Sequence, residues 1–551
     1  MTRSTGISAG RRAIPGAFPG AVLGAAAALF AANTALHAQS ALPEFALPDP
    51  AMSPARATVL PVPQDRIANA VASLDGLAQD LLDRTGVPGL AVAVVQGQDT
   101  LLMRGWGQRA EGGQAEGGQA EVDADTVFLL ASLSKSVGAT VVATQVANGA
   151  VSWDDPVRDY LPWFDLGDPW VSDHVTIGDL YAHRSGLPDH AGDDLEDVGY
   201  DRRAVLERLA QLPMGRFRAD YAYTNFGLTA AAEAVATAAG TDWASLSERA
   251  LYAPLGMGAT SSRHADYMAR GNRAAAHVPG ADGFAVADLR QPDAQSPAGG
   301  VSSSARDMAQ WMKLVLSGGR RDGAQLIAPG ALVPALSPQA ITGRPADAAD
   351  RTGSYGYGVG IGVRPSGRVM LSHSGAFAFG AATAYAMLPD LKLGIVVLTN
   401  ASPTGLPEAL AASFLDRVEF GADQRDWLAA YGPRIAPLSA PAGALVGTSP
   451  PQQPAAARPP DAYAGRYDSA YFGAAEVRKT ADGLLLEVGP APQRLPLSHW
   501  DGDRFVAFPV TENQPEGSVS QVVFTIGADG QADMVTVEHL NDAGLGGFRR
   551  P

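Results

Sequence analysis

Ser132-Leu133-Ser134-Lys135 stands before an apolar run, Val137 to Ala147, which ends at Asn148-Gly149. The run reads as a helix, so Ser132 falls at its N-terminus and Lys135 one turn later on the same face. A serine hydroxyl becomes a nucleophile when a neighbouring base takes its proton, and an amine in an apolar site loses its own proton more readily than in water. A helix N-terminus also favours negative charge developing beside it. The spacing alone is common, but residue usage sharpens it. The chain has 41 Lys and Arg, and only Lys135, Lys313, Lys392 and Lys479 are lysines. An arginine at position 135 could not be deprotonated, so lysine there has a chemical reason. The plain alternative is a lysine snorkelling beside a capping serine.

Tyr223-Thr224-Asn225 opens a second helical run, Phe226 to Ala239. A cationic neighbour favours the phenolate form of a tyrosine, so Tyr223 beside Lys135 could take the Ser132 proton and return it to a leaving group. Asn225 could hold the lysine and a substrate carbonyl. His373-Ser374-Gly375 follows the strand Val369 to Ser372, where Gly375 lets a substrate approach the backbone closely. The Ala376 amide could then supply one oxyanion donor and the Ser132 amide the other. Read singly, the tyrosine and asparagine are packing and capping residues, and the histidine a structural one.

In this order the set resembles the serine-reactive family of class C β-lactamases, penicillin-binding proteins, D-aminopeptidases and related esterases. These share a Ser-x-x-Lys, a Tyr-x-Asn and a Lys- or His-x-Gly motif. The resemblance covers roughly residues 65–420 and extends to Val87-Pro-Gly-Leu90, His183-Arg-Ser-Gly-Leu-Pro188, Pro254-Leu-Gly-Met257 and Ala298-Gly-Gly-Val301 leading to Asp307. It implies Ser132, Lys135 and Tyr223 as catalytic residues, with Asn225, His373 and Gly375 in support. His373 replaces the more usual lysine, and an imidazole is cationic only part of the time near neutral pH. Recognition of a carboxylate is thereby put in doubt, and esters, amides and D-amino-acid peptides become the expected substrates. Tyr223 in the second motif places the chain with the class C-like branch.

The elements that must position these residues read as an α+β domain, an antiparallel sheet flanked by helices with an all-helical subdomain. Apolar residues from Ile67 to Leu81 recur at helical spacing, and Leu90 to Val95 with Thr100 to Met103 read as a hairpin. The chain is helix-rich from Val127 to about Leu316. Strands return at Tyr355 to Val363, Val369 to Leu371, Ala381 to Leu388 and Leu393 to Leu398, before a helix from Leu406 to Phe420. The unit Ala-Glu-Gly-Gly-Gln runs twice from Ala110 and reads as a surface loop. The domain is expected over 65–432, a Pro/Ala-rich linker over 433–460 and a small all-β barrel-like domain over 461–551. Asp482-Gly483, Asp501-Gly502 and Asp529-Gly530 are its hairpin signals. Tyr463-Ala-Gly-Arg-Tyr467 resembles the lipocalin-like domain often fused to such hydrolases.

At the N-terminus, Arg3, Arg11 and Arg12 precede an apolar stretch from Ala13 to Ala32 and then Thr34 to Ala38, the layout of a secretory signal peptide over 1–38, followed by a linker over 39–64. Pro15 and Pro19 leave a core too short for a membrane span, so no transmembrane anchor is expected after cleavage and a periplasmic or secreted location is. The Arg11-Arg12 pair does not separate twin-arginine from Sec export. The net charge of −16 disfavours nucleic-acid partners. The absence of cysteine excludes disulfides, thiolate zinc sites and Cys nucleophiles. No cofactor or metal is expected, and no His-Glu-x-x-His run occurs. Ser185-Gly186 beside His183 and His190 comes nearest to a histidine-driven triad and reads as a structural turn. The sequence leaves oligomeric state open.

The expected function is therefore an exported serine hydrolase working through an acyl-enzyme on an ester, amide or D-amino-acid peptide. The alternatives are a class C-like β-lactamase and a slowly acylated peptidoglycan- or penicillin-binding receptor. A third is a β tail that itself binds carbohydrate or lipid.

Overall fold

The computed structural model describes residues 51–58, 60–110, 121–287 and 290–551. The expected signal peptide and most of the Gly-rich repeat loop lie outside them. Two helices open the described chain, α1 (Gln64–Ala72) and α2 (Leu74–Thr85). The sequence periodicity reads as one helix here. Ser73 divides it, because its hydroxyl turns back to the Ala70 carbonyl at 2.7 Å and accepts a hydrogen bond from Arg417 at 2.8 Å.

Among the described residues the main sheet has eight strands, all antiparallel: β1 (Gly89–Gln96), β2 (Asp99–Gly107), β3 (Ala340–Ile341), β4 (Ser354–Tyr355), β5 (Gly360–Val363), β6 (Val369–Phe377), β7 (Ala381–Leu388) and β8 (Leu393–Thr399). Their spatial order is β2-β1-β8-β7-β6-β5-β4-β3, so strands from both ends of the domain meet where β1 pairs with β8, Leu90 opposite Thr399. Alternate residues of β1 face opposite ways. Leu90, Val92 and Val94 pack with α1, α2 and the helix Leu406–Phe420. Ala91, Ala93 and Val95 join the larger core that includes Val137, Met308 and Trp311.

Two strands differ from the sequence reading in ways that build the cleft. The stretch Tyr355 to Val363 is a hairpin, β4 and β5, closed by the Gly356 amide donating to the Val359 carbonyl at 2.8 Å. Its turn packs on the backbone of Lys135, and the Ser136 hydroxyl donates to the Gly358 carbonyl at 2.5 Å. The His373-Ser374-Gly375 motif lies within β6 rather than after it. Because β5 pairs only with residues 369–372 and β7 pairs through 377, the motif occupies a strand edge that overhangs β5.

The C-terminal strands close into a barrel: β9 (Gly465–Ser469), β10 (Gly473–Thr480), β11 (Gly483–Val488), β12 (Gln493–Asp501), β13 (Arg504–Ala507), β14 (Ser520–Ile526), β15 (Ala532–Val537) and β16 (Gly547–Arg549). Side chains fill it. Tyr463 packs against Phe505 and Phe524 at centroid distances of 5.1 and 4.7 Å, and Tyr467 is fully buried beside Phe524. The Pro/Ala-rich stretch before it is tied down rather than free: Ala442 donates to Ser518 at 3.0 Å and accepts from Val519 at 2.9 Å, and Ala455 donates to Asp501 at 2.7 Å.

Candidate active site

The strand Val127–Leu129 leads into Ala131, whose φ of 47° is a left-handed conformation that alanine rarely adopts. The chain thereby turns abruptly into α3 (Leu133–Ala147), with Ser132 at the corner. Apolar on nearly every side, α3 is buried through almost its whole length and carries Lys135 into the core, where it is wholly inaccessible.

Lys135 Nζ has three oxygen partners: Ser132 Oγ at 3.1 Å, Asn225 Oδ1 at 2.7 Å and the Ala298 carbonyl at 3.0 Å. Burial pulls its pKa down to about 7, with Asp193 opposing and Arg290 reinforcing the shift. Two of the three partners can only accept. The Ala298 carbonyl has no proton, and Asn225 presents its oxygen because its Nδ2 donates to Asp193 at 2.8 Å. A neutral amine has two protons and one lone pair. The protons satisfy Asn225 and Ala298, which leaves the lone pair facing the Ser132 hydroxyl.

Asp193 opens the short helix α4 (Asp193–Asp197), and Asn225 opens α5 (Asn225–Ala238). Asp193 is shared, since His190 Nδ1 donates to the same carboxylate oxygen at 2.8 Å, which raises the pKa of His190. The Tyr223 ring lies over the amine, with Nζ 4.4 Å from the ring centroid. Its backbone is held by Asp189, which accepts from the Tyr223 amide at 2.7 Å. Beneath it His183 packs at a centroid distance of 4.6 Å and accepts from the Thr224 amide at 3.2 Å through Nδ1. The sequence suggests a phenolate at Tyr223, and here the structure differs. Burial pushes the phenol's pKa well up, a shift that its hydrogen bond with Ser132 only partly opposes, so the group is a neutral phenol.

His373 approaches Tyr223 at a centroid distance of 6.4 Å. Its Nδ1 faces the Ser374 carbonyl at 2.6 Å and so carries the proton, and its Nε2 accepts from the Tyr355 hydroxyl at 2.7 Å. Desolvation and the nearby Lys135 pull its pKa down to about 3, so the ring is neutral. Gly375 fits where no larger residue would: a Cβ there would stand 2.9 Å from the Ser132 nitrogen and closer still to the Leu130 carbonyl and Thr383 Oγ1. Strand β6 can therefore lie directly against the corner that presents Ser132.

Ser132, Tyr223, Asn225 and Ala376 line one cavity of about 650 Å³, together with Arg290 and, from the barrel side, Tyr471, Glu512 and His539. All the residues singled out in the sequence thus meet in or around one cleft. Sequence reasoning missed Asp193, which orients Asn225, and the barrel residues. His183, which reads in sequence as part of a structural turn, supports the Tyr223 ring. The short run Gly192 to Asp197 gives no local sign that its acids turn inward.

A hydroxyl at a helix corner, with a buried amine and a neutral phenol beside it and an open strand edge against it, defines a serine hydrolase of the β-lactamase and transpeptidase fold. The Beta-lactamase family model matches residues 74–418, and the chain belongs to that family. A second model, Domain of unknown function (DUF3471), matches residues 449–545, the barrel region. Among curated proteins, unguisins hydrolase ungD of Aspergillus violaceofuscus is 28% identical over 467 residues, spanning 76% of this chain and 80% of that protein. Esterase EstB of Burkholderia gladioli is 26% identical over 393 residues, spanning 64% of this chain and 95% of the esterase. The octameric penicillin-binding protein homologue from Pyrococcus abyssi superposes with a TM-score of 0.57 at 19% identity, over 85% of this chain and 98% of that one. This last likeness is one of fold. The protein is a Beta-lactamase-family hydrolase, similar to esterases and peptidases.

Proposed function

We propose that the protein hydrolyses esters, amides or D-amino-acid peptides through an acyl-enzyme on Ser132. The observation that carries this reading is the hydrogen-bond set of Lys135, which leaves the lone pair of the neutral amine facing the Ser132 hydroxyl. Lys135 accepts the Ser132 proton as Oγ attacks the carbonyl carbon. The amides of Ser132 and Ala376 receive the oxyanion, and the Tyr223 phenol relays the proton to the leaving group. Water then attacks the acyl carbon, with the same groups working in reverse.

The substrate side of the proposal rests on charge. His373, neutral and with both nitrogens engaged, offers no cation to a substrate carboxylate. Asp189, Asp193 and Asp542 line the cavity, and Arg290 is already paired with Glu196. Neutral or amine-bearing acyl groups suit such walls, and carboxylates do not. We further propose that residues 1–38 direct export, which sequencing of the mature N-terminus would test.

Steady-state turnover of p-nitrophenyl esters, D-amino-acid p-nitroanilides and a chromogenic cephalosporin tests the function. The expected result is repeated turnover of an ester or D-aminoacyl amide in preference to the cephalosporin. One burst per molecule and no further product would instead mark an acylated receptor.

A further inference from the structure

Of the barrel segments that line the cleft, one loop touches the chain just beyond β6. Residues 508–519, between β13 and β14, turn tightly where the backbones of Thr511 and Gln514 exchange hydrogen bonds of 2.9 and 3.2 Å. Asn513 anchors the turn by donating to Asp197 of α4 at 2.9 Å. Between them Glu512 points into the cleft, nearly buried. Its Oε1 accepts from the Ala378 amide at 2.6 Å, and its Oε2 lies 3.5 Å from the Phe379 amide. Glu512 also lies 3.7 Å from Arg290, whose guanidinium covers the Phe377 ring at 4.9 Å.

These contacts fall on the turn that directly follows the overhanging end of β6. Ala376, which supplies one of the two amides assigned to the oxyanion, is two residues from Ala378. The carbonyl of Ala378 is held from the sheet side by the Ser402 hydroxyl at 2.5 Å. Its amide is held by the barrel. A donor must be fixed before the charge it stabilises develops, and a misplacement of about 1 Å can cost on the order of a hundredfold in rate.

We propose that Glu512 is a positioning residue for catalysis: by gripping the Ala378 amide, the barrel fixes the strand end that carries the Ala376 oxyanion donor. This rests on the hydrolase reading above. It gives the C-terminal barrel a part in the reaction beyond lining the cleft.

Two variants of the full chain separate grip from charge. Glu512→Gln keeps an acceptor oxygen at the same reach and removes the charge. Glu512→Asp keeps the charge and withdraws the oxygen by about 1.5 Å, one C–C bond. The readout is the rate at which a fluorophosphonate labels Ser132, together with kcat/KM for p-nitrophenyl acetate, on protein whose melting temperature is recorded. Glu512→Gln is expected to stay within about threefold of wild type and Glu512→Asp to fall about tenfold or more. Glu487→Gln, which disturbs the pairing with Arg478 and Arg494 elsewhere on the barrel, is expected to change neither rate. The reverse order, with Asp active and Gln impaired, or an unchanged rate in Glu512→Asp, overturns the proposal alone. Failure of wild-type Ser132 to react overturns the hydrolase reading and this proposal with it.

Discussion

Asp193 holds the amide nitrogen of Asn225 at 2.8 Å and thereby decides which end of that amide meets Lys135. With nitrogen committed to the carboxylate, oxygen faces the amine, and the lysine must commit a proton to it. Asp193→Asn removes that constraint. The Asn225 amide can then turn its NH2 towards Nζ, so kcat/KM for an activated ester is expected to fall by about 10- to 100-fold. Loss of the nearby negative charge, which raises the Lys135 pKa, also moves the acidic limb of the pH profile to lower pH. A limb that moves upward would contradict the assignment.

The pH profile itself is a second test. Lys135 acts as a base only when neutral, and its pKa lies at about 7. The value of kcat/KM should therefore rise with pH and reach half its plateau near that value. Lys135→Arg, permanently protonated, is expected to lose about 10²-fold or more at every pH. Stopped-flow or plate-based rates from about pH 5 to about pH 9 would resolve both.

Gly375→Ala tests the contact between β6 and the nucleophile corner. The added methyl would overlap the Leu130 carbonyl and Thr383 and press on the Ser132 nitrogen. Stability should drop by about 1–3 kcal/mol, measured by denaturant unfolding, and the Ser132 labelling rate should drop with it.

The interface of α4 with the barrel gives a prediction of opposite character. Asp194, hydrogen-bonded by the Tyr471 hydroxyl at 3.0 Å, and Glu512 are both pushed up to about 7 by burial. A carboxyl with a raised folded-state pKa binds its proton more tightly in the native chain. Its contribution is thus greatest below the unfolded-state pKa, near about 4, and is lost as pH rises towards about 7. Asp194→Asn, which cannot ionise, should flatten the fall in melting temperature across that window. An unaltered slope would show that Asp194 does not titrate there.

The parts of this site legible in the sequence are those carried by short patterns. Ser132 with Lys135, Tyr223 with Asn225 and His373 with Gly375 each lie within a few residues of chain, and helix or strand signals place them. What a pattern could not convey was how deeply each group is buried. At Tyr223, desolvation pushes the phenol up and outweighs its hydrogen bond with Ser132, an effect no pattern carries. Asp193, His183 and Glu512 act across 32, 41 and 134 residues of sequence, through contacts that exist only once the chain is folded. The Pro/Ala-rich stretch reads from its composition as a linker, yet composition gives no sign that Pro437, Leu438 and Ala442 line the cleft. The barrel's fold is announced by its Asp-Gly turns, and its reach into the active site is not.

Everything proposed for this site requires that Ser132 be acylated. Intact-mass analysis after brief exposure to p-nitrophenyl acetate and, separately, to a fluorophosphonate tests this, comparing wild type with Ser132→Ala. One adduct per wild-type chain is expected, mapped by peptide digestion to Ser132, and none in the alanine variant. An adduct that persists in Ser132→Ala, or that maps to another residue in the wild type, would contradict the assignment of the nucleophile.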